Sequence, residues 1–370
     1  MTKKKVIYII SDIEKSLSFE WTAKHLALKF DLLFILIGKE KTALSSFLES
    51  MDIRVEIVSD EKFPSYIKKW LRIYSILQLE RPAAVHVHLW RAMLLGLTAA
   101  WMSGVKRRVL TRHHATIHYV DYPSGRKWDI LCNTLATDIV AISENVKDIL
   151  TQWDKAKASK VSVIYHGFDL SYFKNIDLQR VNGLHEKYKL YSRPVIGVIS
   201  RYMKMKGIQY IIPAFKKLKE DFPDAHLVLA NAQGDYTAEI RTQLRQLPEG
   251  CYTEIQFEHD LAALYKVFDV FVHVPVDAHA EAFGQTYIEA LAAEVPSVFT
   301  ISGIAREFIV NEYNALVANY QDAEDIYVNM RRILNDAKIR SVIIENGMKS
   351  LEAKFNLPIM IDKLTYIYNK

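Results

Sequence analysis

Two carboxylates, Glu281 and Glu289, stand eight residues apart in the stretch Glu281-Ala-Phe-Gly-Gln-Thr-Tyr-Ile-Glu289. A Gly-Gln-Thr turn separates them and opens an apolar, helix-forming run that continues to Pro296. A helix rises about 1.5 Å per residue, so eight residues span roughly 12 Å. On this reading Glu281 stands just before a helix and Glu289 two turns into it. The free N–H groups of Gly284, Gln285 and Thr286 would point at an anion between the two carboxylates. Such a layout suits one long ligand with hydroxyl-rich ends and an anionic middle, as in a nucleotide-sugar. Two glutamates at this spacing also arise on any solvated helix face, so the flanking elements decide the matter.

Those elements are strands. Asp269-Val-Phe-Val-His-Val-Pro275 reads as a buried strand feeding the loop, and Ser297-Val-Phe-Thr-Ile301 reads as the next. A strand–loop–helix–strand unit puts Glu281 at the carboxyl end of a strand, where open α/β sheets bind ligands. The same alternation runs through the chain. Short apolar runs at 6–10, 33–37, 55–58, 84–88, 108–111, 138–142 and 161–165 are predicted strands. A second set follows at 195–200, 226–230, 254–257, 270–274 and 297–301. Ile208, Ile211, Ile212, Phe215 and Leu218 recur with helical period, and helices are expected at 323–335, 340–354 and 358–368. Strands alternating with helices mean parallel sheets covered on both faces, here two doubly wound α/β domains.

A second group could act on the same anion. Ser200-Arg-Tyr-Met-Lys-Met-Lys-Gly207 lies between a predicted strand and a helix, and Arg201 and Lys206 can face a phosphate there. Gly207 permits a tight entry into the helix. Alone, this is also what a solvated basic loop looks like. Histidines gather in the first half, as His86 and His88, then His113 and His114, then His118. No carboxylate or cysteine spacing makes a metal site of them, and neutral imidazoles lining a sugar cleft are the better reading. His86 and His25 are read as structural.

The chain has 370 residues, 50% apolar and 25% charged, with a net charge of +5. This length allows two domains. The charge is too mild to require nucleic acid and fits anionic small ligands. The two cysteines, Cys132 and Cys251, have no ligand spacing, which suggests a reducing compartment. The basic head before Val6 leads a five-residue apolar run, too short for a signal peptide, so a cytoplasmic location is expected. No G-x-G-x-x-G follows the first strand; the loop there is Ser11-Asp-Ile-Glu-Lys-Ser-Leu-Ser18. P-loop, nucleophile-elbow and zinc-protease motifs are absent too. Tyr66-Ile-Lys-Lys-Trp-Leu-Arg-Ile-Tyr74 mixes basic and aromatic residues. It would suit the inner face of an anionic membrane, with Trp70 and Tyr74 at the headgroups. An ordinary half-buried helix is the simpler reading.

Taken together, these residues resemble the retaining glycosyltransferases of family four, which have the GT-B fold. Glu281 to Glu289 is similar to that family's E-x7-E motif, and Arg201, Lys206 and Gly207 to its Arg and Lys-Gly pair. Val163-Ile-Tyr-His-Gly-Phe-Asp169 resembles its interdomain segment, and Ala141-Ile-Ser-Glu144 the segment before it. Two features depart from the pattern. The Ser11–Ser18 loop has no glycine, and Ala278-His-Ala precedes the first glutamate in place of Pro-Ser.

The resemblance implies two Rossmann-like domains with a cleft between them. Residues 1–168 would form the acceptor side, 169–192 a linker and 193–356 the nucleotide-sugar side. Residues 357–370 would form a helix crossing back onto the first domain. It implies transfer of a sugar from a nucleoside diphosphate to a hydroxyl acceptor, with retention. Glu289 would hold the ribose, and Phe283, Gly284, Gln285, Thr286 and Gly207 would line the donor site. Arg201 and Lys206 would neutralise the departing diphosphate, and Glu281 would contact the transferred sugar. His113, with His114 as second choice, would meet the sugar from the other domain. His118 and Ser11 are further sugar or acceptor candidates. No metal and no cofactor are expected. The acceptor would be a saccharide or lipid-linked saccharide in cell-surface polysaccharide assembly. A nucleotide-sugar epimerase of the same fold, or a catalytically silent sugar-nucleotide binder, are the alternatives.

Overall fold

The computed structural model describes residues 3–370. Two compact units divide the chain, Met1–Phe168 with Phe355–Lys370, and Asp169–Lys354. The first unit carries strands β1 (Lys5–Ser11), β2 (Asp31–Gly38), β3 (Arg54–Ser59), β4 (Ala84–His88), β5 (Arg107–Arg112), β6 (Asp138–Ala141) and β7 (Val161–Val163). They form one sheet in the order β3-β2-β1-β4-β5-β6-β7, all parallel. The second carries β8 (Val195–Ile199), β9 (His226–Ala230), β10 (Tyr252–Ile255), β11 (Val270–His273), β12 (Ser297–Phe299) and β13 (Leu316–Val317). Their order is β10-β9-β8-β11-β12-β13, again all parallel.

The strands are apolar along their length because helices cover both faces of each sheet. Val6 to Ile10 in β1 and Val195 to Ile199 in β8 are all but Gly197 core hydrophobics with almost no exposure. Each sheet reverses its winding once, between β1 and β4 in the first unit and between β8 and β11 in the second. At such a reversal the connecting helices pass to opposite faces and leave a crevice at the carboxyl ends of the strands. Ser11 and His88 end β1 and β4; Arg201 follows β8, and His273 ends β11. The fold therefore delivers the chemically interesting residues to the two reversal points.

Residues 357–370 belong to the first unit. The Leu357–Asn369 helix buries Leu357, Met360, Ile361, Leu364, Ile367 and Tyr368 in the same core as Val6, Tyr8 and Phe34. Tyr368 Oη meets Tyr8 Oη and lies 2.6 Å from His86 Nδ1, while His86 Nε2 lies 2.7 Å from Thr111 Oγ1. Burial holds His86 down to about 3, so this chain is neutral. His25 Nδ1 bonds its own helix at Trp21 O, 2.9 Å away.

Two local features bear on the sequence reading. Residues 169–192, expected as a linker, carry the helices Ser171–Lys174 and Leu178–Tyr188. The second buries Val181 and Leu184, and Arg180 grips Asp260 through two hydrogen bonds of 2.8 and 2.6 Å. In the Tyr66–Glu80 helix, Trp70 is half-buried, as the simpler reading of an ordinary half-buried helix has it. Its Nε1 donates to Thr98 Oγ1 at 3.0 Å and its ring stacks on Tyr74. The exposed apolar residues there include Ile67, Leu71 and Leu79, with the Tyr66 ring exposed as well.

Candidate active site

In the second unit the site begins where β8 ends. After Arg201, which is exposed, the chain makes a tight turn at Lys204–Lys206 and enters the Ile208–Asp221 helix through Gly207. Gly207 has φ +77°, and a Cβ there would fall 1.9 Å from Val274 O. Only glycine lets the turn press against the end of β11 in this way. The contact is sealed by Val276 N–H donating to Met205 O at 3.0 Å.

This docking carries Lys206 to Glu281. Lys206 Nζ lies 2.5 Å from Glu281 Oε1, and His273 Nε2, at the end of β11, lies 3.1 Å from the same oxygen. Glu281 is buried, and its backbone N–H donates to Ser302 Oγ at 3.0 Å. Burial opposes its ionisation, but the Lys206 ammonium and His273 outweigh this and hold the carboxyl down at about 2. Glu281 is thus a fixed negative charge at neutral pH.

Gly284 caps the Gln285–Ala292 helix without a side-chain acceptor, and in the first turn the Tyr287 N–H turns back to Gly284 O at 3.2 Å. Thr286 Oγ1, in that first turn, is buried without a protein partner. Phe283 is buried and Gln285 exposed on either side of the cap. Because the helix starts only at Gln285, Glu289 sits one turn in, not two. Glu289 is buried, and Tyr265 Oη donates to its Oε2 at 2.8 Å. Here burial wins, and the carboxyl is pushed up to about 7 despite the tyrosine bond. A cation beside one carboxylate, a helix N-terminus without a side-chain cap, and a second carboxyl one turn deeper therefore lie beyond the carboxyl ends of β8 and β11.

In the first unit, His113 and His114 follow β5. His113 Nε2 lies 2.9 Å from His88 Nδ1, and the His113 ring stacks on His166 with centroids 5.5 Å apart. His114 Nε2 and His118 Nδ1 lie 3.0 and 2.7 Å from Asp129 Oδ2. These three groups lie within 4.8 Å of one another, a spacing compatible with a metal ion. Arg112 Nη1, however, is 2.6 Å from the same Asp129 oxygen and already neutralises it. Arg112 also pairs with Asp154, which accepts from Tyr119 Oη at 2.5 Å. His118 is buried in this network, edge-on to Trp90. Ser11 is buried as well, and its Oγ accepts from Ala92 N–H at 3.3 Å, at the start of the Trp90–Met102 helix.

Several of these partners escaped the sequence reading. Asp129, Tyr265 and Ser302 carry no local signal, since each reaches its partner from a different element. His273 was visible only as a histidine ending an apolar run. His88 was seen in a cluster, but its bond to His113 comes from the β4–β5 register, which pairs His88 with Thr111.

Comparison with known proteins finds glycosyltransferases. A family model described as glycosyl transferases group 1 matches residues 184–350, and one described as glycosyltransferase family 4 matches residues 49–172. The capsular polysaccharide biosynthesis glycosyltransferase CapM of Staphylococcus aureus is 29% identical over 317 residues, 82% of this chain and 81% of that protein. An Escherichia coli UDP-Gal:alpha-D-GlcNAc-diphosphoundecaprenol alpha-1,3-galactosyltransferase is 22% identical over 320 residues, 82% of this chain and 79% of that one. The crystal structure of Anabaena HepE in complex with UDP and glucose superposes with a TM-score of 0.86, at 18% identity over 99% of both chains, a likeness of GT-B fold. The two family models follow one another along the chain, one in each half, and the chain belongs to the group 1, family 4 glycosyltransferases.

Proposed function

We propose that the protein moves a sugar from a nucleoside-diphosphate sugar to a hydroxyl acceptor, with retention of anomeric configuration and without a metal. The observation that carries this is the Lys206–Glu281 pair beside the Gln285–Ala292 helix, whose N-terminus has no side-chain cap, with Glu289 one turn further in. Breaking the bond from the anomeric carbon to phosphate places growing negative charge on the diphosphate. Arg201, Lys206 and the helix N-terminus are preorganised positive potential for that charge. Glu289 would accept the ribose hydroxyls, and Glu281 would face the sugar as it gains positive character. His113 would contact the sugar from the first unit.

The S. aureus and E. coli relatives support a saccharide or lipid-linked saccharide as acceptor, and HepE supports UDP as the first nucleotide to try. No helix among the described residues is long and apolar enough to cross a membrane. Contact with an anionic membrane surface, at its inner face, would fall to exposed Ile67 and Leu71, flanked by Lys68 and Arg72.

The test is a panel of UDP-, GDP- and ADP-sugars with saccharide acceptors, following diphosphate release and the anomer of the product in chelator-treated buffer. The expected result is one donor turned over to a glycoside of unchanged anomeric configuration. A charge-assisted hydrogen bond contributes about 1.5–3 kcal/mol, so Lys206→Met should slow turnover more than about tenfold. An inverted product, a free sugar isomer, or turnover that depends on added metal would each contradict the reading.

A further inference from the structure

His88 ends β4 and is buried, with its ring held on three sides. It stacks on Tyr8 at 5.2 Å and 13°, meets the edge of Phe19 at 5.0 Å, and lies 4.1 Å from His86. Its Nδ1 faces His113 Nε2 at 2.9 Å. Its other nitrogen, Nε2, is buried without a hydrogen-bond partner. Burial, reinforced by the neighbouring imidazoles, keeps both His88 and His113 well below the usual histidine range, so both rings are neutral, each carries one N–H, and a single proton lies between the two facing nitrogens.

The proton's place follows from the orphaned nitrogen. A buried N–H without an acceptor is rarer and more costly than a buried lone pair without a donor. His88 Nε2 is therefore the bare nitrogen, and His88 carries its proton on Nδ1. That N–H donates to His113 Nε2, which must be unprotonated to accept it. His113 then carries its own proton on Nδ1, the polar atom of its ring that the bond to His88 leaves available. The identity and bond of one ring nitrogen set the role of the other.

We propose that His88 is a positioning residue for sugar transfer: it orients the His113 ring and fixes the His113 proton on Nδ1, so that His113 offers the sugar an N–H donor. The proposal rests on the reading of His113 as a sugar contact. A packing role alone would need only the flat ring that stacks on Tyr8. The positioning role needs the Nδ1 hydrogen bond, and the two can be separated.

His88→Phe keeps a flat ring and removes the bond, whereas His88→Asn can restore a donor close to the Nδ1 position. With the donor that the nucleotide-sugar panel selects, His88→Phe should lower kcat about tenfold while the donor KM moves less than about twofold. His88→Asn should recover most of that loss. His113→Ala should be slow, and His88→Phe/His113→Ala no slower, because one residue acts through the other. In parallel, nitrogen NMR of 15N-histidine-labelled wild-type protein should show His113 protonated on Nδ1; this needs neither a donor nor a folded variant. Normal turnover in His88→Phe with a slow His113→Ala, multiplying losses in the double variant, or an Nε2-protonated His113 would each overturn the role of His88. Normal turnover in His113→Ala would overturn the reading of His113 itself, and the proposal with it.

Discussion

Glu281 and Glu289 are both buried carboxyls, and their surroundings drive them in opposite directions. Glu281 has a cation at 2.5 Å and stays ionised; Glu289 has only a tyrosine hydroxyl and is pushed up to about 7. The consequence for stability has a definite sign. A carboxyl raised above its unfolded value stabilises the fold while protonated and loses that contribution as pH rises through about 7. Glu289→Gln cannot ionise and still accepts from Tyr265. It should therefore be more stable than the wild type at pH 8, by on the order of 2 kcal/mol, and should lose that advantage by pH 5. Thermal melts at the two pH values check this; equal melting temperatures at pH 8 would contradict it. Ligand affinity should run the other way. Nucleotide should bind wild-type protein more tightly as pH rises through 7, because the ionised carboxylate is the better acceptor for ribose hydroxyls.

The sequence made the two glutamates, Arg201 and Lys206 legible as a group because each lies in a loop between recognisable strands and helices. It could not make their electrostatics legible. Lys206 is 75 residues from Glu281, and Tyr265 is 24 residues from Glu289. Only the docking of separate loops reveals which carboxylate has the cation. The misjudged depth of Glu289 has a similar origin. The residues Glu281-Ala-Phe-Gly read smoothly into the helix, yet Gly284 adopts φ +88° and delays its start.

The strand–helix units were the easiest layer to read. Parallel strands buried on both faces are continuous apolar runs, and twelve of them are legible in the sequence. β13 was missed because Leu316–Val317 is too short to show a period. The helix within residues 169–192 showed no period because Leu178–Tyr188 is polar apart from a narrow stripe that contains Val181 and Leu184. The loops that follow the strands hold the site, and their close packing makes them intolerant of small additions. Gly303, after β12, has φ +56°, and a Cβ there would lie 2.7 Å from Glu281 Cβ and 2.8 Å from Phe283 O. Gly303→Ala should displace the Glu281 loop while leaving the sheets intact. The expected outcome is a loss of turnover of about tenfold or more with an unchanged far-ultraviolet circular dichroism spectrum. Wild-type turnover would show that Glu281 does not need this placement.

Along the full chain, both units use one design: a sheet that reverses its winding once and presents polar side chains at the reversal. The last helix ties the end of the chain to the first sheet through a buried polar relay, Tyr8–Tyr368–His86–Thr111. Its apolar stripe was evident in the sequence, but the relay was not, since Tyr8 and Tyr368 lie at opposite ends of the chain. Tyr368→Phe would leave His86 Nδ1 and Tyr8 Oη buried without this partner. It should destabilise the first unit by about 1–3 kcal/mol, seen as an earlier transition in urea; an unchanged transition would mean the relay adds no net stability. The central claim, however, is that the second unit binds a nucleoside diphosphate through Arg201, the Gln285–Ala292 helix and Glu289. Calorimetric titration of UDP, GDP and ADP into wild-type, Arg201→Ala and Glu289→Ala proteins tests it most directly. The account predicts micromolar binding of one nucleotide, weakened more than about tenfold in both variants. Binding of none of the three, or equal binding by all three proteins, would contradict it.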